Sequence, residues 1–109
     1  MRLSKVMLAF TVVLALLGGC TSMMIGVKEG SDRVSLADAN QISGCQSKGQ
    51  TIVSVVAKAG FIKRLPEAVE ADLYQLARNN AVDAGADTLV KGESKEFGQR
   101  TFGMYKCRP

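Results

Sequence analysis

The chain has 109 residues, with 14 basic and 10 acidic side chains for a net charge of +4, no histidine and three cysteines. The missing histidine removes histidine-dependent triads, the common zinc sites and the usual general base. No basic run exceeds the pair Lys63-Arg64, so the mild positive charge leaves no nucleic-acid footprint, and no catalytic residue, metal site or cofactor is expected.

Arg2 and Lys5 precede an apolar stretch, Val6 to Leu17, which ends in Gly18-Gly19-Cys20. Charge, then an apolar run, then small residues is the order of a secretory signal. Twelve helical residues reach about 18 Å, well short of a bilayer core of roughly 30 Å. The junction at Cys20 resembles a bacterial lipobox. That resemblance implies cleavage before Cys20, diacylation of its sulfur and acylation of the new amino terminus. Several acyl chains would make the anchoring durable, because one chain alone binds a membrane only marginally. Thr21 in place of an aspartate implies, by the same resemblance, an outer-membrane destination. Removal of residues 1–19 takes Arg2 and Lys5 with it and leaves 90 residues with 12 basic and 10 acidic side chains. That is room for one small domain.

Residues 20–33 read as a lipidated tether, since glycines and small polar groups leave no sustained period. Val34-Ser35-Leu36 fits a short edge strand, with Asp38, Asn40 and Gly44 marking turns after it. Gln50 to Lys58 is rich in β-branched residues, and Val53, Val55 and Ala57 alternate with Ile52, Ser54 and Val56, which predicts a strand with one buried face. Gly60 ends it, and a loop of Phe61, Ile62, Lys63 and Arg64 leads to Pro66.

Pro66 to Ala84 is the clearest helix. Proline suits its first turn, Glu67, Glu70 and Asp72 lie toward the positive end of its dipole, and Gly85 supplies the stop. At 100° per residue, Val69, Leu73, Leu76, Ala77, Asn80 and Ala84 share one face. Asn80 is the odd member, because a buried amide must be hydrogen-bonded; a tie to a neighbouring strand or loop is the expectation. Arg78 points to the other side, toward solvent or a partner. Asp87 to Val90 starts a second strand, and Thr101 to Cys107 makes the last.

With Cys20 assigned to lipid, Cys45 and Cys107 have one intramolecular pairing, and an exported, oxidising compartment favours a disulfide. Closing that loop would contribute roughly 4 kcal/mol in the chain-entropy model. The carboxylate pairs Glu67 with Glu70 and Glu93 with Glu96 read as solvated surface. Phe61 and Ile62, flanked by Lys63 and Arg64, either cover one end of the core or anchor a partner.

Leu76-Ala77-Arg78-Asn79-Asn80-Ala81, then Ala84-Gly85-Ala86-Asp87-Thr88-Leu89-Val90, and finally Gly103-Met104-Tyr105-Lys106-Cys107 resemble a family of small bacterial envelope lipoproteins grouped only as a domain of unknown function. Asp87 stands where that family usually has asparagine. A more distant similarity is to the RcsF-type envelope-stress lipoproteins, although this chain has two cysteines beyond the lipid site instead of four. The family resemblance implies location and fold and supplies no activity.

The expected fold is α+β: a small two-layer domain, strand-helix-strand-strand, with one helix packed on a mainly antiparallel sheet and one disulfide. The expected organisation is a lipoprotein signal peptide over 1–19, a lipidated tether over 20–33 and a periplasmic domain over 34–109. The expected function is a non-enzymatic outer-membrane lipoprotein with a periplasmic binding domain, in envelope-stress sensing or maintenance. An accessory subunit of an envelope complex is the alternative. The expected partners are the membrane, through Cys20, and an envelope protein met through Phe61, Ile62, Lys63 and Arg64.

Overall fold

The computed structural model describes residues 25–109. The expected signal peptide and Cys20, the expected lipidation site, lie outside the described residues. In chain order the elements are β1 (Ser35–Ala37), β2 (Gln46–Ser54), β3 (Lys58–Ala59), β4 (Ile62–Lys63), α1 (Pro66–Ala84), β5 (Thr88–Lys91) and β6 (Gln99–Lys106), with 3₁₀ turns at Ser31–Arg33 and Ala39–Gln41. A four-stranded sheet runs in the order β1-β5-β6-β2. Its β1–β5 pair is parallel and the other two pairs are antiparallel. The domain is α+β, with α1 on one face of this sheet and the Cys45–Cys107 disulfide closing the ends of β2 and β6 together.

Pro66 opens α1 without a side-chain cap, as its ring presets the first turn and lacks the amide that would want one. At the other end the Ala86 N–H donates to the Ala81 carbonyl at 2.8 Å and the Gly85 N–H to the Val82 carbonyl at 3.2 Å, a Schellman closure. The buried residues of the helix are Val69, Leu73, Ala77 and Ala81. They meet Val53, Leu89, Phe102 and Met104 from the sheet. The expected face differs from this one at four positions, of which Leu76 and Ala84 are partly buried against the core. Ala81 belongs to it, and Asn80 is exposed. A strict four-residue spacing advances about 40° per turn, so the line of contact winds around the helix as the twisted sheet turns beneath it. The small Ala77 and Ala81 let the later turns of the helix lie close to the strands.

The strand expected over Gln50–Lys58 is displaced. β2 begins at Gln46, in a polar stretch without a hydrophobic signal, because β6 offers partners as far as Lys106; the register shifts between Ser47 and Gln50, where Gly49 has φ +96°. β2 stops at Ser54, yet Val53 and Ala57 are buried as the alternation requires. Residues 58–63 form a second, separate hairpin, not a loop. Gly60 takes φ +62° and no non-glycine residue among those described has a positive φ, so the two-residue turn Gly60-Phe61 has the order of a II′ turn, which needs glycine first.

The expected tether is also corrected in its second half. Ser31 is fully buried against α1, and the path from Gly26 to Val34 is fixed to the helix.

Candidate functional site

Three sets of residues stand out, two polar and satisfied, the third apolar and exposed. The first polar set begins with Arg78, Asn79 and Asn80, which occupy one turn of α1 and reach two segments, the N-terminal stretch and β2. The Arg78 Nε donates to the Ser31 carbonyl at 2.8 Å, and its guanidinium lies 5.1 Å from the Tyr74 ring centroid. The Asn79 amide donates to the Gly26 carbonyl at 2.8 Å and its oxygen accepts from the Lys28 backbone N–H at 3.0 Å. Lys28 also pairs with Asp83. The Asn80 amide donates to Thr51 Oγ1 at 2.8 Å, tying helix to strand as expected. Arg78, left undecided between solvent and a partner by the wheel, therefore holds the N-terminal segment.

Asp87 is the centre of the second polar set. One oxygen accepts from the Cys107 N–H at 2.8 Å and the Thr88 hydroxyl at 2.8 Å, the other from the Arg108 N–H at 2.9 Å, with the Lys106 ammonium 3.4 Å away. Burial by itself would raise its pKa, but the two backbone amides, the Thr88 hydroxyl and Lys106 together hold the carboxyl well below the usual range. This cluster fixes the residues on either side of Cys107. Gly103 fits the same end: a Cβ there would lie 2.9 Å from Cε2 of Tyr105, whose ring covers the glycine. The glycine-x-tyrosine-x-cysteine pattern is thus a packing and stapling device.

Of the carboxylates read as surface, Glu70 is engaged, accepting from Arg100 at 2.9 and 2.7 Å. That hydrogen bonding outweighs partial burial and lowers its pKa, while Arg100 is raised by the same bonds. Glu67, Glu93 and Glu96 are exposed. Among the described residues no group of three or more potential ligands is placed to hold a metal ion.

The apolar set is the β3–β4 hairpin and its base. Phe61 is 108% exposed, and Ile62, Val56 and Leu65 are 73%, 73% and 71% exposed. Of the two alternatives open for Phe61 and Ile62, covering the core is not what they do. Lys58 stands directly across from Lys63, and the Lys63 ammonium lies 4.3 Å over the Phe97 ring. The base is held firmly: Arg64 donates to the Val56 carbonyl at 2.8 Å and to Asp72 at 2.7 Å, and its backbone N–H donates to the Ala57 carbonyl at 2.8 Å. Beside the base runs a groove of about 660 Å³ lined by Ile25, Val55, Val56, Arg64, Asp72 and Leu76. Ile25, the first described residue, is part of that groove's wall.

A helix on a mixed sheet, one disulfide and polar clamps at Arg78–Asn80 and Asp87 define a small stapled α+β unit. The family model described as "Domain of unknown function (DUF4156)" matches residues 26–107, and the chain belongs to that family. No curated protein and no solved structure matches the chain.

The match starts at Gly26, the residue whose carbonyl Asn79 holds, and ends at Cys107. Sequence reasoning missed Gly26, Lys28 and Ser31 as parts of the fold. Their signal was indirect: consecutive large polar residues on the helix need partners, and those of Arg78 and Asn79 lie about 50 residues earlier.

Proposed function

We propose that this protein is an outer-membrane lipoprotein, anchored through acyl chains on Cys20, whose periplasmic domain works by docking and performs no chemistry of its own. Phe61, Ile62, Lys63 and Arg64 are its docking residues, and its partners are the membrane and an envelope protein. One observation carries the reading: large apolar side chains are exposed on a hairpin whose base is rigidly tied to the domain. Contiguous exposed apolar surface in a small soluble domain marks an interaction site. The lipobox-like junction at Cys20 supplies the location.

The anchor is tested by mass spectrometry of the protein extracted from membranes. The mature chain should begin at Cys20 and carry acyl groups; retention of residues 1–19 or an unmodified Cys20 thiol rejects it. Within this reading, envelope-stress sensing follows the similarity to RcsF-type lipoproteins and requires one signalling partner in membrane crosslinking.

A second reading, an accessory subunit of an envelope complex, draws on β2. It is a nine-residue strand at the sheet edge with Ile52 exposed, and a strand edge of that length is a template for pairing with another chain. A stoichiometric assembly recovered by the same crosslinking favours this reading over the sensor.

A further inference from the structure

We infer that the β3–β4 hairpin rests on an anionic phospholipid surface, the same surface that receives the Cys20 acyl chains, with Phe61 and Ile62 among the upper acyl chains and Lys58 and Lys63 at the level of the phosphates. The inference rests on the lipid-anchor reading and adds to it the occupant of the hairpin.

Distance comes first. Ile25, the first described residue, lines the groove that Val56 and Arg64 also line. Cys20 is five residues upstream, and five residues in any conformation span at most about 18 Å. The bilayer that holds Cys20 is therefore within reach of the hairpin end of the domain. The opposite end of β2, at Gln46, is farther by eight residues of strand, about 26 Å.

Depth agrees with this placement. The Lys58–Lys63 pair lies two residue steps behind the Gly60-Phe61 turn, so the lysine Cα atoms sit about 7 Å behind the tip. Apolar elements that lie in a membrane interface bury themselves by about 5–10 Å. Phe61 at the tip and Ile62 beside it would reach the acyl-chain boundary while the lysine row stays among the headgroups, its aliphatic stems covering the apolar boundary.

Charge gives the sign of the surface. Like charges directly opposite on paired strands repel. Lys58 and Lys63 are so placed, and among the described residues neither forms an ion pair. Glu96 shares a depression with Lys58, and Phe97 lies under Lys63, while Asp72 is already taken by Arg64. Lipid phosphates meet what remains, and each basic residue near such a surface adds to attachment.

The chain contains no tryptophan, so a single substitution Phe61→Trp makes the hairpin its own reporter. The full-length lipoprotein carrying it is reconstituted into phosphatidylethanolamine–phosphatidylglycerol vesicles, with Gln46→Trp as the far-end control. With acyl-brominated lipids the indole emission of the Phe61→Trp chain should lie to the blue of the control and lose about half its intensity or more, while the Gln46→Trp chain stays unquenched. Emission from the hairpin indole as red and as unquenched as that of the control, in a chain shown by mass to be acylated, overturns the inference and leaves the anchor standing. An unacylated chain whose hairpin indole still turns blue on adding vesicles keeps the hairpin contact and removes the anchor. A photocrosslinker at position 61 that captures a protein in native membranes, with the Phe61→Trp indole water-exposed in vesicles, assigns the hairpin to a protein partner and also overturns it.

Discussion

The two ends of this domain treat their side chains in opposite ways. Around Asp87, Cys107 and Tyr105, a carboxylate is half-buried with both its oxygens used, and the last strand is held by a covalent bond besides its ladder. Around Phe61 and Ile62, rings and branched chains face solvent although the hairpin's own base is anchored by Arg64. Polar groups withdrawn from water without partners and exposed apolar groups without cover both cost free energy. The first cost has been removed within the chain and the second has not. The lesson is that the most recognisable motif residues serve the fold, while the proposed docking surface is the stretch in which apolar residues lack an internal partner.

The staple should show the largest effect. Cys45→Ser or Cys107→Ser opens a loop with a sequence separation of 62 and should cost about 4 kcal/mol, read by denaturant unfolding under oxidising conditions. Two free thiols in the oxidised protein, or a reduction that leaves the melting temperature unchanged, would erase this side of the contrast.

Asp87→Asn should cost about 1–2 kcal/mol at neutral pH. The two carboxylate oxygens face two backbone amide donors, and an asparagine presents an NH₂ to one of them. The dependence on pH has a definite sign. A carboxyl whose folded pKa lies below its ordinary value of 3.8 contributes stability in full above that value and loses it as the pH falls toward the folded pKa. Between the parent and the variant the stability gap should therefore narrow below about pH 4. The Glu70–Arg100 pair remains in both chains and leaves a smaller acid loss in the variant. A gap that is constant from neutral pH down to acid would mean that Asp87 is not the titrating group.

The helix was legible because its signals are local: Pro66 at the start, Gly85 at the stop and an apolar period between them. The pairing of Cys45 with Cys107 was legible once Cys20 was expected to carry lipid and the chain to be exported. The start of β2 at Gln46 was not, since Gln-Ser-Lys-Gly-Gln has no alternation and is a strand only because β6 runs alongside. Residues 26–33 were likewise opaque, as a segment with few apolar groups can be ordered by hydrogen bonds to Arg78, Gln75 and Asn79 that only the tertiary fold brings near. At the candidate site the four residues Phe61 to Arg64 were legible as a group. Their exposure was not, because an apolar pair before a helix can face either way until the turn at Gly60 sets its direction.

The smallest expected effect on stability belongs to the hairpin tip, and it sharpens the comparison most. Phe61→Ser with Ile62→Ser should change unfolding free energy by less than about 0.5 kcal/mol, because surface substitutions away from caps, strain and buried partners seldom exceed that. The turn itself depends on Gly60 and on the Lys58–Lys63 and Ala59–Ile62 pairs, which the serines leave in place. Near-unchanged thermal unfolding of the isolated protein, together with fewer contacts at the membrane, would separate the proposed docking end from the folding end. A loss of several kcal/mol would instead place both side chains within the cooperative core, and the difference between the two ends would no longer hold.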